Sequence, residues 1–472
     1  MKIADEFDVI VVGAGIGGYI CSIKCAQLGL KTLNIEKEYY GGVCLNVGCI
    51  PTKSLLRTTK AYEDIISKSK ILGIDIPNTK DIKINYKQAV KRKNDIVSKL
   101  TNGVKFLLDK NKVKKEFGVA VALDKNTIQV NGKNYRTKNL VIATGSVPNT
   151  LPLPGFDDAR KKGVMIDSTK ILSITSVPKS LTVIGGGVIG VEFGCLFASL
   201  GTKVTIVEAA PTILGLLDKE VKDLIKKEMI EKYKIKIFEG VKIDKFAGNK
   251  LFFTEGGKSQ SVLGEYCLES VGRRISLEGF EKIGINLDQR KSVIINDYCK
   301  TNVEGVYAIG DVSGRAMLAH VAQHAAIVCA NSIARSMQKT EAEDIVMDWD
   351  RIPSCIYTHP EIASIGKTEQ ELKRDKIEYQ VAKFPFAAIG KAMADDDTTG
   401  FVKIMCDPKY KTILGAHIIG NRATDMISEI TSLIECEGTI SELARSIHPH
   451  PTMSEAIGEV AEILEYGKAI NI

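Results

Sequence analysis

The same glycine pattern occurs twice in this sequence, and the repeat limits the possible folds more than any other feature. Each copy follows an apolar strand, opens a helical stretch, and is followed by an acidic residue 18 positions after its third glycine, Glu36 in the first copy and Glu208 in the second. A lone GxGxxG is weak, but this context is typical of dinucleotide-binding βαβ units. The two glycine sets are Gly13, Gly15, Gly18 and Gly185, Gly187, Gly190.

The three glycines of such a unit have separate physical roles. The first permits the tight turn, the second lets the backbone approach a pyrophosphate, and the third lets helix and strand pack closely. The free N–H groups and the positive dipole end of the helix then face the phosphates. We therefore expect two dinucleotide sites in one chain.

Length and composition agree with a folded protein of several domains. The chain has 472 residues, of which 44% are hydrophobic, and this length suggests about three domains. Prolines and glycines at Val147–Gly155 and the segment Asp348–Pro353 mark two boundaries. Beyond the second boundary, short apolar runs and helical patterns indicate an α+β domain.

Charge and hydropathy exclude several classes of partner. The formal net charge of +7 is small for this length, and the blocks of like charge that mark nucleic-acid arms are missing. No run of 18 apolar residues predicts a membrane span, because Glu192 interrupts the longest candidate. A strand begins at Phe7, which leaves no room for a signal peptide. We expect no membrane insertion and a cytoplasmic location, or an organelle matrix if a presequence was removed.

Two of the eleven cysteines, Cys44 and Cys49, stand out by position. They begin a helical pattern directly after the first βαβ unit, where the helix N-terminus would lower a thiol pKa. Five residues of ideal helix rise about 7.5 Å, beyond the roughly 7 Å limit for a disulfide. The two thiols can pair only if the helix is distorted, which Gly48 and Pro51 allow. Their position beside a dinucleotide site suggests redox exchange.

Two other interpretations of these cysteines stay open. They could be two buried free thiols, which is the usual state of cysteine in a reducing compartment. They could also bind zinc together with His448 and His450, although the CxxxxC and HxH spacings lie outside the usual structural zinc patterns. We expect no metal site.

His450 is the best candidate for a catalytic base. Glu455 lies five positions later, just inside the last helix, and could fix the imidazole tautomer and raise its basicity. His448 has no such partner nearby in sequence. A further candidate, Asp311, ends a strand, where it could cap the next helix or accept hydrogen bonds from a ribitol chain.

Together these motifs resemble one known family, the pyridine nucleotide–disulfide oxidoreductases of the class I flavoprotein type. The resemblance extends from Asp8 to about Leu464. It implies an α/β fold with two Rossmann-like domains, for FAD and NAD, and a C-terminal α+β dimerisation domain. The regions would be an FAD domain (1–150), an NAD domain (151–276), a central segment completing the FAD site (277–347) and a dimer-interface domain (348–472).

The resemblance also assigns cofactor-binding residues. FAD would lie on the first glycine set and Glu36, with Lys53 near the isoalloxazine ring and with further contacts from Gly118, Thr144, Gly145, Asp311 and Ala319. NAD would lie on the second glycine set and Glu208, with Val241 and Gly272 lining its path.

The activity that the resemblance implies is oxidation of a dihydrolipoyl dithiol. His450 of the partner subunit, oriented by Glu455, would take the thiol proton, the substrate thiolate would attack Cys44, and Cys49 would become the thiolate that faces the flavin. The implied partners are a second copy of the chain and either the lipoyl-bearing acyltransferase of a 2-oxo acid dehydrogenase complex or the glycine cleavage H protein. The alternatives are a reductase of a glutathione-like small disulfide and a non-catalytic flavoprotein subunit.

The sequence favours NAD over NADP at the second site. Glu208 would accept hydrogen bonds from the ribose 2′-OH and repel a 2′-phosphate, and Ala209–Leu214 has no Arg or Lys to hold that phosphate. Two departures from the family pattern fall nearby. Glu269-Ser270 stands in a usually apolar strand, and Ile275 replaces the usual proline. They leave the NAD affinity and the local packing open.

Overall fold

The first βαβ unit begins a large sheet in the computed structural model, which describes residues 2–471. Four strands run in parallel in the order β3-β2-β1-β6, and β5 and β4 extend the sheet in antiparallel fashion. β1 and β2 are buried at the end that carries the glycine turn. The elements are β1 Ile3–Val12, α1 Ile16–Gln27, β2 Thr32–Glu36, α2 Gly42–Val47, α3 Cys49–Lys68, α4 Tyr86–Lys110, β3 Lys114–Phe117, β4 Ala120–Asp124, β5 Thr127–Val130, β6 Lys133–Ile142 and β7 Ser146–Pro148.

The second βαβ unit lies in a separate parallel sheet of order β11-β10-β9-β15-β8, beside an antiparallel sheet of order β12-β13-β14. Two short antiparallel strands, β7 and β16, connect it to the first unit. The elements are α5 Phe156–Lys161, β8 Met165–Ile166, β9 Ser180–Ile184, α6 Val188–Ala198, β10 Lys203–Val207, α7 Lys219–Glu231, β11 Lys236–Phe238, β12 Lys242–Ala247, β13 Lys250–Glu255, β14 Lys258–Leu263, β15 Tyr266–Glu269 and β16 Arg273–Ile275.

The chain then returns to the first sheet. β17, Val306–Ala308, pairs in parallel with β6, and α8, Ala319–Ser336, packs on α1 through a buried apolar cluster. Short 3₁₀ turns lie at Thr79–Asp81, Lys170–Ser173, Glu281–Ile283, Gly310–Ser313 and Phe386–Ala388.

The last region is an antiparallel sheet of order β18-β19-β22-β21-β20 covered by helices. Together with the two parallel sheets it confirms the predicted α/β fold with a C-terminal α+β domain. The elements are β18 Ser354–Ile356, β19 Glu361–Gly366, α9 Glu369–Arg374, β20 Gln380–Pro385, α10 Gly390–Ala394, β21 Phe401–Cys406, β22 Ile413–Gly420, α11 Ala423–Glu435, α12 Ile440–Arg445 and α13 Glu455–Tyr466.

A buried lysine fastens this last sheet to the second βαβ unit. Lys403 lies within the fully buried strand β21, and its ammonium group contacts Asp218, Glu220 and Glu369 at 2.7–3.0 Å. Asp218 also caps the N-terminus of α7 by accepting from the Glu220 N–H. The ion pairs therefore compensate the buried charge and fix α7 against the C-terminal sheet. Within residues 2–471, no helix is long and apolar enough to cross a lipid bilayer.

Candidate active site

A break between two helices brings Cys44 and Cys49 together. α2 ends at Val47 and α3 begins at Cys49, and Gly48 between them has φ −143° and ψ −114°. A Cβ at Gly48 would lie 2.9 Å from the carbonyl oxygen of Val43, so the break needs glycine. The helix is thus distorted where the cysteine spacing requires it. Both cysteine side chains are partly exposed, so a substrate sulfur can approach them from solvent.

The two thiols are electrostatically unequal. A hydrogen bond with the Cys44 thiol lowers the pKa of Cys49 to about 7, and the positive charge of Lys53 acts in the same direction against the effect of burial. The same hydrogen bond, together with burial, raises the pKa of Cys44. Cys49 is therefore the thiol that ionises near neutral pH, and Cys44 keeps its proton.

Lys53 lies one turn further along α3, and Glu192 and Tyr357 hold it there, although neither belongs to a site predicted from the sequence. Its ammonium group lies 2.9 Å from a carboxylate oxygen of Glu192, which is buried in α6. Tyr357 donates its backbone N–H to Glu192 at 2.9 Å, and its ring lies 4.4 Å from the Lys53 ammonium. A single acidic residue in the otherwise apolar helix α6 was the only sequence signal for this arrangement.

The first glycine turn leaves room for a dinucleotide backbone. Gly13 has φ +106°, and a Cβ at Gly18 would lie 2.0 Å from the Gly13 carbonyl oxygen, so both positions require glycine. A Cβ at Gly15 would meet nothing nearer than 4.0 Å, which leaves space beside its backbone for a ligand. Glu36 accepts from the Ala14 N–H at 2.6 Å and from the Glu38 N–H at 2.7 Å, and thereby fixes the turn.

The second glycine turn repeats this geometry. Gly185 has φ +98°, a Cβ at Gly190 would lie 2.1 Å from the Gly185 carbonyl oxygen, and no atom lies within 4 Å of a Cβ at Gly187. Glu208 accepts from the Gly186 N–H at 2.5 Å and from the Ala210 N–H at 2.6 Å. Both turns therefore fit a pyrophosphate at the N-terminus of the helix that follows.

The other predicted flavin contacts lie around the first turn. Thr144 follows β6, and its buried hydroxyl oxygen has no hydrogen-bond partner within residues 2–471, as expected of a group that faces a ligand. Gly145 has φ +69°. Gly118 donates its N–H to the Glu36 carbonyl oxygen, and Ala319 is the first residue of α8. Asp311 accepts from the Ser146 hydroxyl at 2.5 Å and lies 3.9 Å from Arg273.

The two remaining predicted NAD contacts lie near the second turn. Val241 donates its N–H to the Glu208 carbonyl oxygen, and its side chain is buried in an apolar cluster. Gly272 has φ +94° and accepts from the Asn149 N–H at 3.0 Å. Val241 therefore joins the residue after β10 to an apolar core beside the second turn.

His450 and Glu455 form the predicted pair. The Nδ1 atom of His450 lies 2.7 Å from a Glu455 carboxylate oxygen, and the other carboxylate oxygen accepts from the Thr452 N–H at 2.8 Å. Burial acts to raise the pKa of Glu455, but these hydrogen bonds outweigh it and lower the pKa. The His450 side chain is 78% exposed, so its Nε2 edge faces outward from the protomer.

The structure does not bring His450 into contact with Cys44 of its own chain. No hydrogen bond or ion pair within residues 2–471 joins the histidine to either cysteine. The catalytic candidates thus lie in two groups, the dithiol at the start of α3 and the imidazole before α13.

His448, which has no carboxylate nearby in sequence, has one in the fold. Glu429 of α11 lies 2.8 Å from its Nε2 atom and raises its pKa. The residues are 19 positions apart, so spacing along a single helix could not reveal the contact. Within residues 2–471 no group of three ligating side chains could hold a metal ion, and the zinc arrangement of Cys44, Cys49, His448 and His450 is not assembled.

Comparison with known proteins assigns this arrangement to a class. The pyridine nucleotide-disulphide oxidoreductase family matches residues 7–326, and the dimerisation domain of that family matches residues 352–461. The chain belongs to this family. It is an enzyme, an NAD-dependent flavoprotein oxidoreductase with FAD and NAD as cofactors.

Its full-length relatives within the family include dihydrolipoyl dehydrogenases. The chain is 42% identical to that of Mycoplasma genitalium, over 97% of this chain and 98% of the relative. It is 39% identical to that of Geobacillus stearothermophilus, over 98% and 96%. Among solved structures, the HOCl-induced flavoprotein disulfide reductase RclA from Escherichia coli superposes with a TM-score of 0.83 over 97% of this chain and all of that chain, at 24% identity, which shows a shared fold.

Proposed function

We propose that this chain oxidises a protein-bound dihydrolipoyl dithiol through Cys44 and Cys49 and passes the electrons to NAD⁺. The observation that carries the proposal is the unequal dithiol at the break between α2 and α3, with Lys53 beside it. The dihydrolipoyl dehydrogenases that match the chain over nearly its full length support the choice of substrate.

The proposed reaction begins with Cys44 and Cys49 joined as a disulfide. His450 of the partner subunit, oriented by Glu455, accepts a proton from one substrate thiol. The resulting thiolate attacks the Cys44 sulfur, so a mixed disulfide forms and Cys49 leaves as a thiolate. Lys53 stabilises that negative charge. The second substrate thiol then attacks the substrate sulfur of the mixed disulfide, and the bond from that sulfur to Cys44 breaks. The cyclic lipoyl disulfide is released, and the proton of the second thiol passes to Cys44.

Bound FAD would take the two electrons from the reduced cysteines and deliver them as hydride to NAD⁺. In that transfer, the residues of this chain hold the two cofactors in position. The first glycine turn and Thr144 would hold the flavin nucleotide, and the second turn and Glu208 would hold NAD. Lys53 would lie near the isoalloxazine ring, and Glu192 would fix the direction of its ammonium group.

The remaining flavin contacts in this proposal are Gly118, Gly145, Asp311 and Ala319, and the remaining NAD contacts are Val241 and Gly272. The division into four regions at residues 150, 276 and 347 is part of the same proposal. It is supported by the positions at which the chain passes between sheets.

The family's dimerisation domain indicates a homodimer, and the exposed imidazole of His450 supports an active site shared between two subunits. The proposed lipoyl partners are the acyltransferase of a 2-oxo acid dehydrogenase complex and the glycine cleavage H protein. A reducing compartment, either the cytoplasm or an organelle matrix, fits the cysteine usage, because the eleven cysteines are odd in number and match no disulfide scaffold.

The substrate is tested by comparing two steady-state reactions of the purified holoenzyme. We expect fast NAD⁺ reduction by dihydrolipoamide and negligible NADPH-driven reduction of glutathione disulfide. A preference for the second reaction would overturn the proposed substrate.

The shared active site is tested by mixing subunits. Cys44→Ser and His450→Ala subunits, each inactive as a homodimer, would be co-expressed with different affinity tags. If His450 acts across the interface, each mixed dimer has one intact site, and a random mixture regains about one quarter of wild-type activity. If both residues act within one subunit, no activity returns.

A further inference from the structure

Glu269 is a buried carboxylate in the short parallel strand β15, whose two preceding residues are buried and apolar. It ends β15, is 3% exposed, and pairs in register with Ile184, the last residue before the second glycine turn. An unpaired charge at such a position would strongly destabilise the fold. The contacts of Glu269 therefore show how its charge is compensated and what it holds in place.

Arg160 compensates the charge in a two-point ion pair. Its Nε atom lies 3.0 Å from one carboxylate oxygen of Glu269, and its terminal nitrogen lies 3.1 Å from the other. Arg160 belongs to α5, the first helix after the linker that leaves the FAD region. Paired geometry of this kind fixes direction as well as distance.

Both members of the ion pair also bind the same linker residue, Leu151. The Leu151 N–H donates to Glu269 at 2.6 Å, and Arg160 donates to the Leu151 carbonyl oxygen at 2.7 Å. Both polar backbone groups of this residue are thus held by the pair. The linker between β7 and α5 is clamped where it enters the NAD region.

The next residue, Ser270, contacts the second glycine turn instead of the linker. Its hydroxyl donates to the carbonyl oxygens of Ile184 and Gly185, at 2.8 and 3.2 Å. Ser270 therefore fixes the start of the second glycine turn while Glu269 fixes the linker. Two consecutive polar residues, Glu269 and Ser270, thus connect the linker to the phosphate-binding turn.

We propose that Glu269, paired with Arg160, is a positioning residue for NAD. It holds the linker against the second glycine turn, so that a dinucleotide bound there is aligned with the flavin region. This inference rests on the proposed function only in taking NAD⁺ as the electron acceptor. It assigns Glu269 no contact with substrate or cofactor.

The test compares Glu269→Ala with the control Asp157→Ala in the dimeric holoenzyme. Asp157 also pairs with Arg160, but its side chain is 82% exposed and it holds no linker atom. For Glu269→Ala we expect the KM and the dissociation constant for NAD⁺ to rise about ten-fold. The rate at which dihydrolipoamide bleaches the flavin without NAD⁺ should stay within two-fold of wild type. Asp157→Ala should change neither quantity.

Hydrogen exchange at the Leu151 amide separates positioning from general destabilisation. In Glu269→Ala this amide should exchange faster than in wild type, together with the weaker NAD⁺ binding. Glu269→Gln, which keeps an acceptor for Leu151, should recover part of the affinity, and it replaces the alanine variant if that variant does not fold. Faster exchange with unchanged NAD⁺ affinity would overturn the proposal, as would equal effects from Asp157→Ala.

A wrong substrate in the proposed function would give a different set of results. Wild-type enzyme would then not be reduced by dihydrolipoamide at all, whereas NAD⁺ binding to the oxidised enzyme would still respond to Glu269→Ala. Equilibrium binding therefore tests the positioning role independently of the dithiol substrate.

Discussion

Two groups of neighbouring cysteines lie beside the first βαβ unit, and they differ in access. The redox pair is Cys44 and Cys49, which are partly exposed and lie beside Lys53. The buried cysteine cluster is Cys21, Cys25 and Cys329, all 0% exposed, between α1 and α8. Sulfur atoms of Cys21 and Cys25 lie 4.0 Å apart. Close thiols are therefore common to both groups.

A shifted pKa is also common to both groups. Hydrogen bonds with Cys25 and Cys329 lower the pKa of Cys21, just as Cys44 lowers that of Cys49. In the buried cluster the shift comes from other thiols, whereas at Cys49 a lysine contributes. Proximity and a lowered pKa therefore do not make two thiols a redox centre without a path for the substrate and a nearby cation.

The largest effect is expected from Cys44→Ser. This change removes the sulfur that the substrate attacks, so turnover with dihydrolipoamide and NAD⁺ should fall by roughly 10³-fold or more. The flavin absorbance of the purified protein should be retained, because Cys44 lies outside the glycine turn. Turnover close to wild type would show that the disulfide is not the path of the electrons.

His450→Gln should have the next largest effect. Loss of the general base should lower the rate of flavin reduction by dihydrolipoamide about 10²- to 10⁴-fold. His448→Gln is the matched control, because His448 also pairs with a carboxylate, Glu429, but is mostly buried. It should lower thermal stability and leave the rate within a few-fold. Equal losses of rate from both variants would mean that the His450 substitution disturbs the fold and does not remove a general base.

Lys53→Met should shift the pH dependence of Cys49. Because the thiolate is the reactive form and its pKa is about 7, alkylation of Cys49 in the reduced enzyme should rise with pH to half its maximum near pH 7. Removing the positive charge should move that midpoint to higher pH. Mass spectrometry of the alkylated peptide measures it, and an unchanged midpoint would show that Lys53 contributes nothing to the ionisation of Cys49.

Much of this organisation follows from local sequence rules. The glycine turns, the acids at the ends of β2 and β10, and the break at Gly48 each depend on residues within one short segment, so the sequence predicts their geometry. The His450–Glu455 contact is likewise local.

Contacts between distant segments could not be predicted in this way. Glu192 and Tyr357 meet Lys53 only because α6 and the segment after β18 pack against α3. Glu269 looks destabilising when only its own buried strand is considered. Its charge is compensated by Arg160, which lies 109 positions earlier in the chain. No periodicity in one sequence encodes such a pairing, since tertiary packing decides it.

The smallest effects are expected in the buried cysteine cluster. Cys21→Ala and Cys329→Ala each remove one sulfur atom from the packed contact between α1 and α8. The free energy of unfolding should fall by about 1 kcal/mol, as is usual when a small buried group is lost. Chemical denaturation of the holoenzyme, followed by flavin fluorescence and circular dichroism, measures the change.

Steady-state turnover of these variants should stay within two-fold of wild type. This result tests whether the buried cysteine cluster takes no part in electron transfer. The cluster supports α1, whose first residues follow the first glycine turn, so its packing stabilises the flavin site without chemical participation. A loss of turnover in proportion to lost flavin would agree with that role. A ten-fold loss with flavin fully retained would contradict it, because electrons would then depend on thiols that no substrate can reach from solvent.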